Sequence, residues 1–193
     1  MKDKKSGMKQ IRDEVVACQK CELYKTRVLP VIGQGSHEAK VMFVGEAPGA
    51  SEDKTGAPFC GAAGKILDEL LNSIGAKRPE VYIGNILKCR PPGNRNPERD
   101  EIECCTVYLD AQIDIIKPKV IVCLGNFSMR YLFHKYGLDE AIQGITKMRG
   151  QVFDVKNKDF KLIPLFHPAV ATYDRSQYNN LAEDFKVLKD FVL

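Results

Sequence analysis

The run "KVIVCLG" (residues 119–125) sets five apolar side chains in succession, so a strand formed there buries both of its faces. A strand of that kind needs a packed layer on each side of its sheet. "KVMFVGEAPG" (40–49) has the same character and ends in a Pro/Gly turn, and "VYIGNILK" (81–88) reads as another strand. Between them the apolar period changes. "AAGKILDELLNSIGA" carries Ile66, Leu67, Leu70, Leu71 and Ile74 at helical spacing, with Gly75 as its stop. "NPERDEIECCTVYLDAQIDIIKP" has a stripe of Ile102, Cys105, Leu109, Ile113 and Ile116, bounded by Pro97 and Pro118. "NFSMRYLFHKYG" reads as helical. "QVFDV" and "FKLIPLFHP" bracket the polar turn "KNKD", which predicts a hairpin with a buried second arm. "SQYNNLAEDFKVLKDFVL" closes the chain as one amphipathic helix, and "MKQIRDEVVA" opens it as another. This alternation predicts an α/β fold: a three-layer α/β/α sandwich around a central, mostly parallel sheet. The 193 residues suit a single domain, 1–193, with a helical N-terminal segment (about 1–25) that ends in a cysteine pair.

The charged opening "MKDKKSGMKQ" lacks the apolar core of a signal peptide, and no apolar run approaches a membrane span. A cytoplasmic protein with no membrane partner is expected. The net charge of +4 permits a polyanionic partner without demanding one. Lys88, Arg90, Arg95 and Arg99 fall in one loop region, a pattern that a solvated loop explains equally well.

Seven cysteines is a high count for such a chain. An odd number in a reducing compartment argues against a disulfide framework. Cys18 and Cys21 form a C-x2-C pair, a spacing that lets two thiolates reach one metal. A thioredoxin-like redox pair belongs after a first strand, whereas a helix precedes this one. Two more ligands can come from Cys89 with Cys104 or Cys105, for either a tetrahedral zinc or an iron–sulfur cluster. Cys60 and Cys123 read as packed apolar residues.

In α/β sheets, ligands sit beyond the carboxyl ends of the strands. Three polar stretches fall there: "GEAPGASED", "NILKCRPP" and "FHPAV". The glycine-rich stretch 45–65 is no phosphate loop, because Lys65 is followed by Ile66 and the Walker spacing is missing. What remains is a tight turn carrying Glu46, Glu52 and Asp53, or the acidic start of a helix. His167 follows a buried strand directly, which makes it a better functional candidate than a lone histidine elsewhere.

Together, Cys18-x2-Cys21, "GEAPGASEDKTGAPF", "NILKCRPP", Cys89 and Cys105 with fifteen residues between them, and "HPA" (167–169) resemble the family 4, iron–sulfur uracil-DNA glycosylases. The resemblance runs from residue 18 into the C-terminal helix. It implies a [4Fe-4S] cluster on Cys18, Cys21, Cys89 and Cys105, with the N-terminal segment supplying two ligands. It implies a hydrolase of base excision repair, acting on uracil-containing DNA, single- or double-stranded. Phe59 would stack on the flipped ring, Asn85 would read the O4 and N3 edge, and His167 would steady the departing base at O2. Glu46 or Glu52 would orient water or offset charge on the sugar, and Ala47 would line the pocket through its backbone. In "PAVATYDRSQ", Tyr173 and Arg175 are expected to meet DNA, with Arg90 from the second loop.

Cys60 stands where the family commonly has an aliphatic residue, and Val170 where alanine is frequent. The basic insertion of the covalently DNA-linked relatives is absent after "KCRPP", so turnover is expected. A monomer is expected, and no protein partner such as a sliding clamp is legible. The alternatives are a non-catalytic or altered-specificity nucleic-acid-binding relative, or an iron–sulfur electron carrier. Neither needs Glu46, Phe59, Asn85 and His167 together.

Overall fold

The computed structural model describes residues 3–192. At its centre six strands pair in the order β1-β3-β2-β4-β6-β5. They are β1 (Gln34–Gly35), β2 (Val41–Gly45), β3 (Tyr82–Asn85), β4 (Val120–Leu124), β5 (Phe153–Asp154) and β6 (Lys161–Leu165). β3, β2, β4 and β6 are parallel, while β1 and β5 pair antiparallel at the edges. β1 has no signature in the sequence: two residues are too few to show a period, and it forms only because β3 offers an open edge.

The helices are α1 (Lys4–Val16), α2 (Ala50–Thr55), α3 (Ala62–Ser73), α4 (Arg99–Ile116) and α5 (Asn126–Lys135), followed by α6 (Ile145–Met148), α7 (Val170–Tyr173), α8 (Gln177–Phe185) and α9 (Lys189–Val192). Every residue of β2 and β4 is buried, as a sheet covered on both faces requires. Alternate strand residues serve the two layers. Val41, Phe43, Ile83 and Val122 pack with Leu67, Leu70 and Leu71 of α3 and with Leu181 and Phe185 of α8. Met42, Val44, Tyr82 and Ile121 pack with Met8 and Ile11 of α1, Leu109 and Ile113 of α4, and Leu132 and Phe133 of α5. Burying one such leucine contributes about 1.5–3 kcal/mol. α3 stops where the sequence places its stop, with Gly75 at φ +78° and the Ala76 N–H donating to the Leu71 carbonyl at 3.0 Å.

Three expectations need correction. The single C-terminal helix is two, because a tighter turn at Lys186–Leu188 separates α8 from α9 and seats Leu188 on the core of Leu181. The last residue of that expected helix, Leu193, lies outside the described residues. Of the two readings of Glu52 and Asp53, the acidic helix start holds, since both lie in the first turn of α2. Cys60 is exposed, with its Sγ 3.2 Å from the Thr55 hydroxyl, whereas Cys123 is fully buried. The basic loop dissolves: Lys88 turns inward and is buried, Arg95 grips Glu101 through two hydrogen bonds, and Arg99 pairs with Glu103.

Candidate functional site

β2 lies between β3 and β4, and the chain leaves it toward β3 before returning to the other side for β4. Strand order therefore reverses at β2, and loops diverge there to leave a crevice. A cleft of about 550 Å³ opens at this point, lined by Glu46, Ala47, Glu52, Phe59, Asn85 and His167. Its walls come from the loops after β2, β3 and β6.

Asn85 ends β3 opposite Gly45 of β2. Beyond it, the Ile86 N–H donates to the Gly45 carbonyl at 3.1 Å and the Leu87 N–H to the Glu46 carbonyl at 3.0 Å. The Asn85 Oδ1 is buried and has no hydrogen-bond partner. An unmet buried acceptor costs about 1–3 kcal/mol, so this one awaits a donor. Gly45 is needed beside it, since a Cβ there would stand 2.4 Å from Oδ1 and 2.8 Å from the Phe59 ring.

Phe59 adopts φ +49°, a left-handed conformation that costs a non-glycine residue about 1–2 kcal/mol. Glu52 holds it there. Its carboxylate accepts from the N–H groups of Cys60 and Gly61, both at 3.0 Å, and from that of Gly49 at 3.1 Å. Glu52 is thus a brace joining the α2 N-terminus to the Phe59 turn. The Arg78 guanidinium donates to the Pro58 carbonyl and pairs with Asp68 at 2.7 Å, gripping the turn from behind. The Phe59 and His167 rings lie 5.3 Å apart at 26°, so they form one wall of the cleft.

The Ala169 N–H donates to His167 Nδ1 at 3.1 Å, which places the imidazole proton on Nε2. Burial pushes the His167 pKa down to about 4, against a weaker upward pull from Glu52. His167 is a neutral Nε2–H donor at neutral pH. Burial raises the pKa of Glu46, with no charged or hydrogen-bonding neighbour contributing.

A second cavity lies behind β3. Cys18, Cys21, Cys89 and Cys105 line it, with Cys104, Lys20, Tyr24 and Arg27. All seven thiols are free. Burial raises the pKa of Cys21 and Cys89, and takes Cys105 to about 12. Such thiols are poor nucleophiles, but a coordinating metal deprotonates a thiol outright. Two cations stand ready for the resulting charge: Arg27 donates to Cys89 Sγ at 3.2 Å, and Lys88 lies near Cys105. The Lys88 N–H donates to Cys105 Sγ at 3.2 Å. Among the described residues, no group of three or more His, Cys, Asp or Glu side chains is arranged to hold a single metal ion. Thiol donors of this kind suit zinc or an iron–sulfur cluster.

Tyr173, 91% exposed, joins the lining of the cleft. Arg90 and Arg175 do not line it. Arg90 donates to Asn94 Oδ1 at 2.7 Å, and Arg175 pairs with Glu69 and stacks on Tyr178. Asn94, Arg95 and Asn96 do line it, in the stretch "GNRNP". Their run of polar side chains after the double proline is the signal in the sequence. Gln112 and Arg27 carry no signal in the sequence and Lys88 signals only a basic loop, because only folding brings the three to their partners.

The comparisons with known proteins now bear on this geometry. Residues 32–191 match the family model described as the uracil DNA glycosylase superfamily. The chain belongs to that superfamily. Its relatives narrow the assignment to the type-4 family. A type-4 uracil-DNA glycosylase of Sulfurisphaera tokodaii is 48% identical over 190 residues, covering 97% of this chain and 86% of the relative. Those of Archaeoglobus fulgidus and Saccharolobus solfataricus are each 45% identical, over 175 residues (90% of this chain, 87% of the relative) and 183 residues (93% and 84%). The superfamily match begins after Cys18 and Cys21, whereas the first type-4 relative leaves too few residues uncovered to omit them. The segment bearing Cys18 and Cys21 therefore falls within the match to that relative and outside the superfamily match. Among the described residues of this type-4 family member, no helix is long and apolar enough to cross a membrane.

Proposed function

We propose that this protein is a type-4 uracil-DNA glycosylase, which flips uracil out of DNA and hydrolyses its N-glycosidic bond. The observation that carries the reading is the unpartnered Asn85 Oδ1 in a cleft that also holds the Nε2–H of His167. Uracil offers an N3–H donor and two carbonyl acceptors. Its N3–H satisfies Asn85 Oδ1, and the Asn85 amide donates to O4. Cytosine presents an acceptor at N3 and an amino group at C4, so it would leave buried groups unmet. The flipped ring lies on Phe59, a contact of about 1–3 kcal/mol.

As the bond from C1′ to N1 breaks, uracil departs as an anion and the sugar gains positive charge. His167 donates to O2 and stabilises that anion. Glu46, ionised in the cleft, offsets the sugar charge and orients the water whose oxygen joins C1′. One proton of the water is released, uracil is protonated, and an abasic site remains. Glu52 serves as a brace in this scheme, because its carboxylate already accepts three N–H groups. Ala47 lines the pocket. Tyr173 meets DNA at the mouth, and Arg90 and Arg175 contact phosphates nearby.

Cys18, Cys21, Cys89 and Cys105 would hold a [4Fe-4S] cluster. Bound, it supplies a cross-link among three chain segments and no redox step. The reading takes residues 1–193 as one monomeric domain working in the cytosol, where thiols stay reduced. The test is incubation with a uracil-containing oligonucleotide. Free uracil and an alkali-labile site are expected; no strand cleavage after alkali at stoichiometric protein refutes the glycosylase and favours a binding-only relative.

A further inference from the structure

We propose that Lys88 is a positioning residue for this excision, holding the peptide that aims Asn85 and tying it to Cys105. The inference rests on the glycosylase reading and deepens it. A lysine between two loop residues is ordinarily solvated, but Lys88 is 1% exposed. Its Nζ donates to the Asn85 carbonyl and to Gln112 Oε1, each at 2.9 Å. Its backbone N–H donates to Cys105 Sγ at 3.2 Å, and its carbonyl accepts from the Val31 N–H at 2.7 Å. Gln112 is itself fully buried and anchored, donating to the Ile32 carbonyl at 2.9 Å and to the Tyr82 hydroxyl at 3.1 Å.

The Asn85 carbonyl and the Ile86 N–H belong to one peptide plane. Lys88 grips the carbonyl end and the Gly45 carbonyl grips the N–H end. A planar unit held at both ends resists rotation, so the Asn85 backbone from which the side-chain amide projects is held in place. Burying an ammonium between neutral acceptors is costly, and an apolar side chain would fill the same space without that cost. What methionine could not do is hold the carbonyl. A misplacement of about 1 Å at a reacting site costs about 10²-fold in rate. The same residue contacts a cluster ligand through its backbone, so disturbance at Cys105 reaches the base-reading amide through a single residue.

The experiment compares wild type with Lys88→Met in four measurements: iron per chain, affinity for a duplex bearing an abasic site, calorimetric binding of free uracil, and single-turnover excision. Iron and duplex affinity are expected to stay within about twofold, while uracil binding and excision fall by about 10–100-fold. Wild-type uracil binding, or excision that falls only in proportion to lost iron, overturns the proposal. Should Lys88→Met fail to fold, Lys88→Leu, which also removes the Nζ donor to the Asn85 carbonyl, is read in the same four measurements, and wild-type uracil binding or excision at full iron content overturns the proposal. A wild-type protein that releases no uracil refutes the glycosylase reading instead, and the uracil-binding comparison still judges Lys88.

Discussion

Replacing Asn85 with alanine separates recognition from stability, because the two should move in opposite directions. The Asn85 Oδ1 is buried without a partner, and the structure gains nothing from it in the absence of a base. Removing it relieves an unmet acceptor of about 1–3 kcal/mol. The truncation opens into the cleft, so little enclosed cavity forms and only a fraction of that gain is lost. A net stabilisation of about 1–2 kcal/mol raises the Tm by roughly 2–8 °C for a chain of this size. Excision moves the other way. Two hydrogen bonds to the uracil edge disappear, at about 1–2 kcal/mol each, so the transition state loses about 2–4 kcal/mol. That corresponds to a roughly 30- to 1,000-fold slower single-turnover rate. The assay pairs a thermal melt with alkaline cleavage of an end-labelled oligonucleotide containing one uracil. A rate within threefold of wild type would show that the amide does not read the base. A variant that is both slow and destabilised by 2 kcal/mol or more, on the order of a structural hydrogen bond, would make the amide a brace and refute the orphan-acceptor reasoning.

The two cleft carboxylates should separate in the same assays. Glu52→Gln keeps one acceptor oxygen but turns an NH2 donor against at least one of the three N–H groups, and is expected to cost about 1–3 kcal/mol of stability, whereas Glu46→Gln should slow excision without lowering the Tm. Excision should also fail on the acid side above the ordinary carboxylate range, since burial raises the Glu46 pKa and the ionised form is the active one; an acid limb unchanged in Glu46→Gln would refute this. For His167, the unfolded chain takes up a proton near pH 6.5 that the folded chain refuses until about pH 4. Folding stability therefore falls as pH drops from 6.5 to 4, by at most about 3 kcal/mol, and His167→Gln should flatten that dependence in pH-dependent melts. Purified protein should contain iron and acid-labile sulfide; Cys105→Ser should lose them and Cys104→Ser should retain them, and zinc without sulfide would refute the cluster.

Much of this molecule is legible in one dimension. Consecutive apolar residues at 120–124, and the change to helical spacing at 66–74 and 102–116, dictate a sheet covered on both faces, because periodicity is a local property of the chain. The order of strands and loops also directs attention to Glu46, Asn85 and His167, since ligands gather where parallel strands end. What stayed hidden depends on partners distant in sequence. Glu52 and Glu46 are equivalent as residues, and only three converging N–H groups make one of them a brace. The tautomer of His167 follows from a single backbone donor at Ala169. Arg95 reads as a basic loop residue until the start of α4 brings Glu101 to it. Lys88 is the sharpest case. Composition and charge put it in solvent with its neighbours, yet Gln112, twenty-four positions away, and the Asn85 carbonyl draw it into the interior. Sequence determined the layers, the strand ends and the residue types gathered there. The tertiary structure alone decided which charges are spent on packing and which face the cleft, because a charge is committed by whatever folding brings within hydrogen-bonding distance.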